Sequence, residues 1–156
     1  MYNLYALAEG FRRALEKNKS EMLLLHSFPK GCCTIACFLL QRFLYENGIE
    51  TERIVGENSR NSKFESHVWL ETNDGTVIDI TGDQYSSRDD AFSYQIPVYV
   101  GPKDKFHQLF RVKYREPYKE TEPDPFESDL TVEIKNDRLY RMIIQSMNMN
   151  QTEKDI

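Results

Sequence analysis

The chain has no long apolar run. Its apolar runs, such as Met22 to Leu25, are far shorter than the roughly 20 residues a helix needs to cross a bilayer, so no membrane partner is expected. The first residues lack a basic-then-apolar signal pattern, and a cytoplasmic location is the expectation. Cysteine is scarce: three residues, two of them adjacent, do not make a secreted disulfide framework. A reducing compartment suits a reactive thiol. Basic excess is missing too, with 20 Lys and Arg against 25 Asp and Glu and a net charge of −5. The basic residues are scattered among acids, which argues against a nucleic-acid partner. No repeat and no linker divides the 156 residues, so one domain is expected over 1–147, with 148–156 fraying as a tail.

What is present is an ordinary globular composition, 40% apolar and 29% charged, with clear periodicities. Leu4, Leu7, Ala8, Phe11 and Leu15 fall at helical spacing, which predicts a helix over 3–17. Met22 to Leu25 reads as a second helix or a buried connector, and Pro29 and Gly31 then force a turn. Ile35, Ala36, Leu39, Leu40, Phe43 and Leu44 form one stripe, so 33–47 is expected to be a buried helix stopped by Gly48. Strands are expected over 50–57, 65–72, 76–81 and 95–100, with Pro97 indicating an edge or a strand start. Residues 58–63 and 83–90 read as polar loops, and 103–110 as a short helix. The acidic, proline-bearing stretch 116–127 reads as an exposed excursion. Leu130, Val132 and Ile134 alternate as in a strand, and 137–147 reads as a final helix. This order predicts an α+β fold, with helices packed on an antiparallel sheet.

Two of these strands carry polar residues in a suggestive pattern. Joined by Asn73-Asp74-Gly75 as a type I turn with a G1 bulge, they pair Thr72 with Thr76, Leu70 with Ile78, Trp69 with Asp79 and His67 with Thr81. Val68, Leu70, Ile78 and Ile80 then share one aliphatic face, while His67, Trp69, Glu71, Val77, Asp79 and Thr81 share the other. A one-residue slip would mix the faces, so the pattern selects the register. His67 and Asp79 become diagonal neighbours with Cβ atoms roughly 7 Å apart, within reach of an imidazole–carboxylate bond. Trp69, on the same face, would shield that bond from water.

A thiol completes the set. Cys33 falls in the first turn of the expected buried helix, where unpaired N–H groups favour a thiolate and could bind a developing oxyanion. His67 would hold the thiol proton and Asp79 would fix the His67 tautomer. Cys32 competes for the nucleophile role, although it precedes the helix and its side chain is expected to point elsewhere. Cys37, one turn on, is expected in the core.

These residues resemble the transglutaminase-like branch of the papain-like cysteine enzymes. Gly31-Cys32-Cys33, Gly48-Ile49-Glu50, His67-Val68-Trp69-Leu70-Glu71 and Ile78-Asp79 stand in the order of that family's elements, over roughly residues 28–84. The resemblance implies a papain-like core, a Cys33–His67–Asp79 triad and acyl transfer through a thioester on a protein, peptide or small amide substrate. Peptidase, amidase and acyltransferase activities all fall within it, and no metal or organic cofactor is implied. Thr34 stands where transglutaminases often carry Trp, which makes crosslinking the less favoured activity.

Other readings stay beside this one. The same cleft could bind without turnover, as a catalytically inactive papain-like module. His26, Cys32, Cys33 and Cys37 are close in sequence, but zinc sites favour cysteine pairs at two separated places. A vicinal disulfide between Cys32 and Cys33 would silence the thiol. Gln84 could donate a hydrogen bond in the site, against a plain reading as a solvated loop residue, while His26 and His107 read as structural. The 116–127 segment could dock a partner, against a plain reading as a solvated loop.

Overall fold

The first helix begins where Asn3 can cap it, its side-chain oxygen accepting from the Ala6 N–H at 3.1 Å. In this computed structural model, which describes residues 3–60, 63–120 and 130–154, helix α1 spans Leu4–Asn18. Its buried face is Ala8, Phe11, Arg12, Ala14 and Leu15. Two 3₁₀ turns, Lys19–Glu21 and Leu23–Leu25, lead to α2, Cys33–Glu46. Gly48 ends α2 with φ +77°, and its N–H and that of Ile49 bond back to the carbonyls of Tyr45 and Leu44, each at 2.9 Å. That is the paired-bond stop that a glycine in the left-handed region permits.

The sheet has five strands in the order β4-β3-β2-β1-β5. They are β1 (Thr51–Arg60), β2 (Lys63–Thr72), β3 (Val77–Asp79), β4 (Tyr99–Gly101) and β5 (Arg111–Pro117), and every pairing is antiparallel. The β2–β3 hairpin has Leu70 opposite Ile78 and Glu71 opposite Val77. Gly75 sits at φ +84° and closes the loop by bonding the Thr72 carbonyl at 3.0 Å. The ladder stops at that end of β3. Thr81 starts a 3₁₀ turn over Gly82–Tyr85 instead of pairing with His67. The edge of β2 beside His67 is thereby left without a β3 neighbour.

Both faces of the sheet are covered. On one, Val68, Leu70, Ile78 and Ile80 pack with Ala36, Cys37, Leu39, Leu40 and Leu44 of α2 and with Phe11 and Leu15 of α1. On the other, Ile54, Trp69 and Val77 meet Tyr85, Tyr94, Phe106 and Phe110 from the chain between β3 and β5. That chain folds back as an aromatic layer over the face that carries His67 and Asp79. Helix α3, Leu130–Lys154, packs against α1. The fold is α+β, with helices on an antiparallel sheet.

Several expectations are corrected. β1 and β2 run further than expected, to Arg60 and from Lys63, which leaves little of the 58–63 loop. The strand expected over 76–81 shortens to Val77–Asp79, and that over 95–100 to Tyr99–Gly101 at the sheet edge. Residues 103–110 form a turn with a 3₁₀ stretch at His107–Leu109 rather than a helix. β5 was not expected, because Arg111, Lys113 and Arg115 hide an edge strand whose charged side chains face solvent. Part of the expected 116–127 excursion thus belongs to β5, and residues 121–127 lie outside the described ones. The expected strand over 130–134 is the start of α3. Alternation over five residues is too short to outweigh the helix that follows. α3 also continues through most of the segment expected to fray.

Candidate active site

The site forms where α2 begins and the β2–β3 ladder ends. Cys33 is the first residue of α2 and is half-buried. The turn before it is closed by bonds from Lys30 N–H to the Ser27 carbonyl at 2.9 Å and from Cys32 N–H to the Pro29 carbonyl at 3.3 Å. Its thiol meets the His67 imidazole, the Gln84 side chain and the backbone of Val68. His67 is fully buried, and its Nε2 donates to Asp79 Oδ2 at 2.7 Å. The other ring nitrogen, Nδ1, faces the Gln84 side chain. Cys33, His67 and Asp79 are therefore brought together, from α2, β2 and the end of β3.

Gln84 belongs to the same cluster. Its Nε2 lies 2.9 Å from His67 Nδ1, and its Oε1 accepts from the Gly31 N–H at 3.3 Å. The solvated-loop reading of this residue is corrected. The 3₁₀ turn that carries it is anchored by Arg12, which grips both carboxylate oxygens of Asp83 at 2.6 and 2.7 Å. Trp69 is fully buried, with its ring centroid 5.9 Å from that of His67. Tyr85, Phe106 and Phe110 complete the aromatic enclosure, at 5.5, 5.6 and 5.8 Å.

The electrostatics separate the three thiols. Burial works to raise the Cys33 pKa, but the hydrogen bond and charge of His67, with Gln84 and the Val68 backbone, outweigh it and bring the thiol below its ordinary value. Burial raises Cys32, and pushes Cys37 well above a free thiol. The Cys32 thiol donates to the Lys30 carbonyl at 3.3 Å and also faces the Leu24 carbonyl at 3.7 Å, away from His67. Cys32 thus faces backbone carbonyls, whereas the Cys33 thiol has His67 as its partner. All three cysteines are free, so no vicinal disulfide is formed. Cys37 donates to the Val68 carbonyl at 3.3 Å inside the core.

Burial also opposes charge on His67 and Asp79, and their mutual attraction overrides it. Asp79 is held well below the usual carboxylate range by His67 and His107, and its charge raises His67 to about 10. Asp79 Oδ1 accepts from the Thr81 N–H at 2.9 Å. Its Oδ2 accepts a second imidazole, Nε2 of His107, also at 2.7 Å. The other His107 nitrogen lies 2.5 Å from Asp104 Oδ1.

Nothing in the chain pattern tied His107 to Asp79. The pair is separated by 28 residues, and the usable signal was local, an Asp and a His three apart at 104 and 107. His26 is exposed.

No family model, curated protein or solved structure matches this chain.

The ligand atoms of His67, Asp79 and His107 lie within 4.8 Å of one another, close enough to raise the question of a cation. The 2.7 Å Nε2–Oδ2 separations are hydrogen-bond distances, and they tie both imidazoles to the one carboxylate oxygen. The set is a hydrogen-bond chain. The cysteine–His26 cluster considered from the sequence does not assemble either: Cys32 and Cys37 face carbonyls, and His26 is exposed.

Proposed function

We propose that the protein is a cysteine-dependent hydrolase or acyltransferase that acts on an amide-type bond through a thioester. The observation that carries this reading is the two-sided engagement of His67, bonded to Asp79 through Nε2 and facing a thiol of lowered pKa with its other side. A buried histidine with a purely structural role has no need of a thiol at the head of a helix. The arrangement of a central helix headed by Cys33, with His67 and Asp79 on successive antiparallel strands, is consistent with a papain-like core of the transglutaminase-like type.

The chemistry follows from the geometry. The Cys33 thiolate attacks the carbonyl carbon, and a C–S bond forms as the carbonyl electrons move onto oxygen. The Cys33 N–H at the start of α2 and the Gln84 Nε2 are the donors available to that oxyanion. The oxyanion collapses, the C–N bond breaks, and the amine leaves with the proton held by His67. Water or an amine then attacks the thioester. His67 takes a proton from it, and the Cys33 thiolate is released as the new acyl bond forms. Asp79 keeps the His67 proton on Nε2, so that Nδ1 remains the exchanging atom.

The test is selective labelling. Iodoacetamide near pH 6 should alkylate Cys33 far faster than a free thiol, and His67→Ala should slow it. Cys32→Ala should change nothing, and Cys33→Ala should abolish the adduct. Acyl-type thiol probes should label the same residue. Labelling of Cys33 no faster than a free thiol at that pH would overturn the catalytic reading and leave a binding cleft.

A further inference from the structure

We propose that His107 is a positioning residue of this site, dividing the Asp79 carboxylate between two imidazoles while Asp104 holds it as a double hydrogen-bond donor. The proposal rests on the reading of Cys33, His67 and Asp79 as a catalytic set.

His107 is fully buried, and each of its ring nitrogens is committed. Nε2 meets Asp79 Oδ2 at 2.7 Å and Nδ1 meets Asp104 Oδ1 at 2.5 Å. The His107 backbone N–H also donates to Asp104 Oδ1, at 2.9 Å, and the Tyr94 hydroxyl donates to Asp104 Oδ2, at 2.9 Å. An ionised carboxylate can only accept, so a ring set between two of them must donate from both nitrogens. A doubly donating imidazole carries a positive charge. The result is a chain of alternating sign: Cys33, His67, Asp79, His107, Asp104.

The surroundings leave these groups to one another. Toward His67 stand Cys33, Asp79 and the Tyr85 ring, whose hydroxyl is spent on the Ser66 carbonyl at 2.8 Å. Cys37 lies behind Asp79 as a neutral thiol. Toward His107 stand Asp79, Asp104, the Tyr94 ring at 5.8 Å and the Tyr99 ring at 5.7 Å. Lys103 lies over Trp69, its ammonium 5.9 Å from the ring centroid, rather than on either histidine.

The device solves a problem the fold creates. A buried carboxylate that served one imidazole alone would hold its proton too firmly for an acid that must release it to a leaving group. A second cation on the same carboxylate oxygen, with ring centroids 6.2 Å apart, weakens that hold without moving Asp79. His107 thus sets how readily His67 gives up its proton, while touching neither the thiol nor the substrate.

Two measurements test it. In the wild-type protein, imidazole ¹⁵N spectra at neutral pH should show His107 with both nitrogens protonated; a neutral single-tautomer pattern overturns the proposal whatever the variants do. In His107→Gln, which keeps a donor near Asp79 but no charge, the alkaline step at which His67 loses its proton, followed by its imidazole ¹⁵N shifts, should move up by about one to two pH units. A folded His107→Gln in which that step stays in place, even if the Cys33 alkylation rate falls, shows a packing role and sinks the idea. An unactivated Cys33 in the wild type would refute the catalytic reading instead, and the ¹⁵N pattern would still report on His107.

Discussion

The side-chain amide of Gln84 lies 2.9 Å from Nδ1 of His67, the atom through which the proton of Cys33 would pass in the proposed reaction. With its other end on the Gly31 N–H, this amide bridges the turn before α2 and the His67 ring. It can hold the resting site in order and then donate to an oxyanion. Gln84→Ala should therefore separate two reactions of one thiol. Acyl transfer should fall about 100-fold, the usual cost of one oxyanion donor. Alkylation by iodoacetamide, which forms no oxyanion, should fall far less. Equal losses in both would show that Gln84 serves the thiolate alone.

The His67–Asp79 pair predicts the pH dependence of stability. His67 is raised when folded, so its contribution is fully present below the unfolded value near 6.5 and is lost as pH rises toward about 10. Asp79 is lowered, so its contribution is present above the unfolded value near 3.9 and is lost as pH falls. Cys33, also lowered, acts in the opposite sense to His67 on the alkaline side. Urea melts in a Cys33→Ala background should therefore decline from pH 6.5 toward 10. Adding His67→Gln should flatten that decline, and a slope unchanged by it would mean the shift is carried elsewhere.

How much of this was legible follows from where the constraints lie. The β2–β3 register could be read because aliphatic Val68, Leu70, Ile78 and Ile80 must share a face, and a slip would bury charge. The meeting of Cys33 with His67 was inferred from family order, and the structure supplies its cause. β3 ends at Asp79, so the β2 edge beside His67 is open to the head of α2. His107 could not be read, because its bond to Asp79 depends on how the 82–110 chain folds over the second face. Aromatic packing fixes that path, and no period in the sequence records it. β5 was hidden for a different reason: as an edge strand it has little apolar alternation to show.

Arg12 ties α1 to the site. Its side chain is nearly buried; besides Asp83 it donates to the carbonyls of Ile80 and Pro97, both at 2.8 Å, and Phe28 lies 5.0 Å from its guanidinium carbon. The bonds to Ile80, Asp83 and Pro97 pin both ends of the 82–97 segment, including the turn that presents Gln84. Arg12→Met leaves Asp83 without its partner and should cost about 3–5 kcal/mol in urea denaturation. Arg12→Lys should rescue little, because an ammonium cannot copy the planar fork. A loss under about 1 kcal/mol would show that Asp83 is resolvated freely.

Gly56 tests whether the aromatic layer sets the site. It lies opposite His67 in β1–β2, at the register shift between β1 and β5. A Cβ there would come within 2.7 Å of Phe110 Cβ and 2.7 Å of the Trp69 ring. Phe110 Cβ moves only with its backbone, and Trp69 is fully buried, so neither neighbour can yield at its free end. Gly56→Ala should then destabilise the protein by about 1–3 kcal/mol, the range for an overpacked core. Because Trp69 and Phe110 both flank the His67 ring, the strain should also pass to the imidazole. The alkylation rate of Cys33 should fall in the folded variant, with Trp69 fluorescence altered in step. Altered fluorescence with an unchanged Cys33 rate would show that the layer shields the His67–Asp79 bond without aiming it.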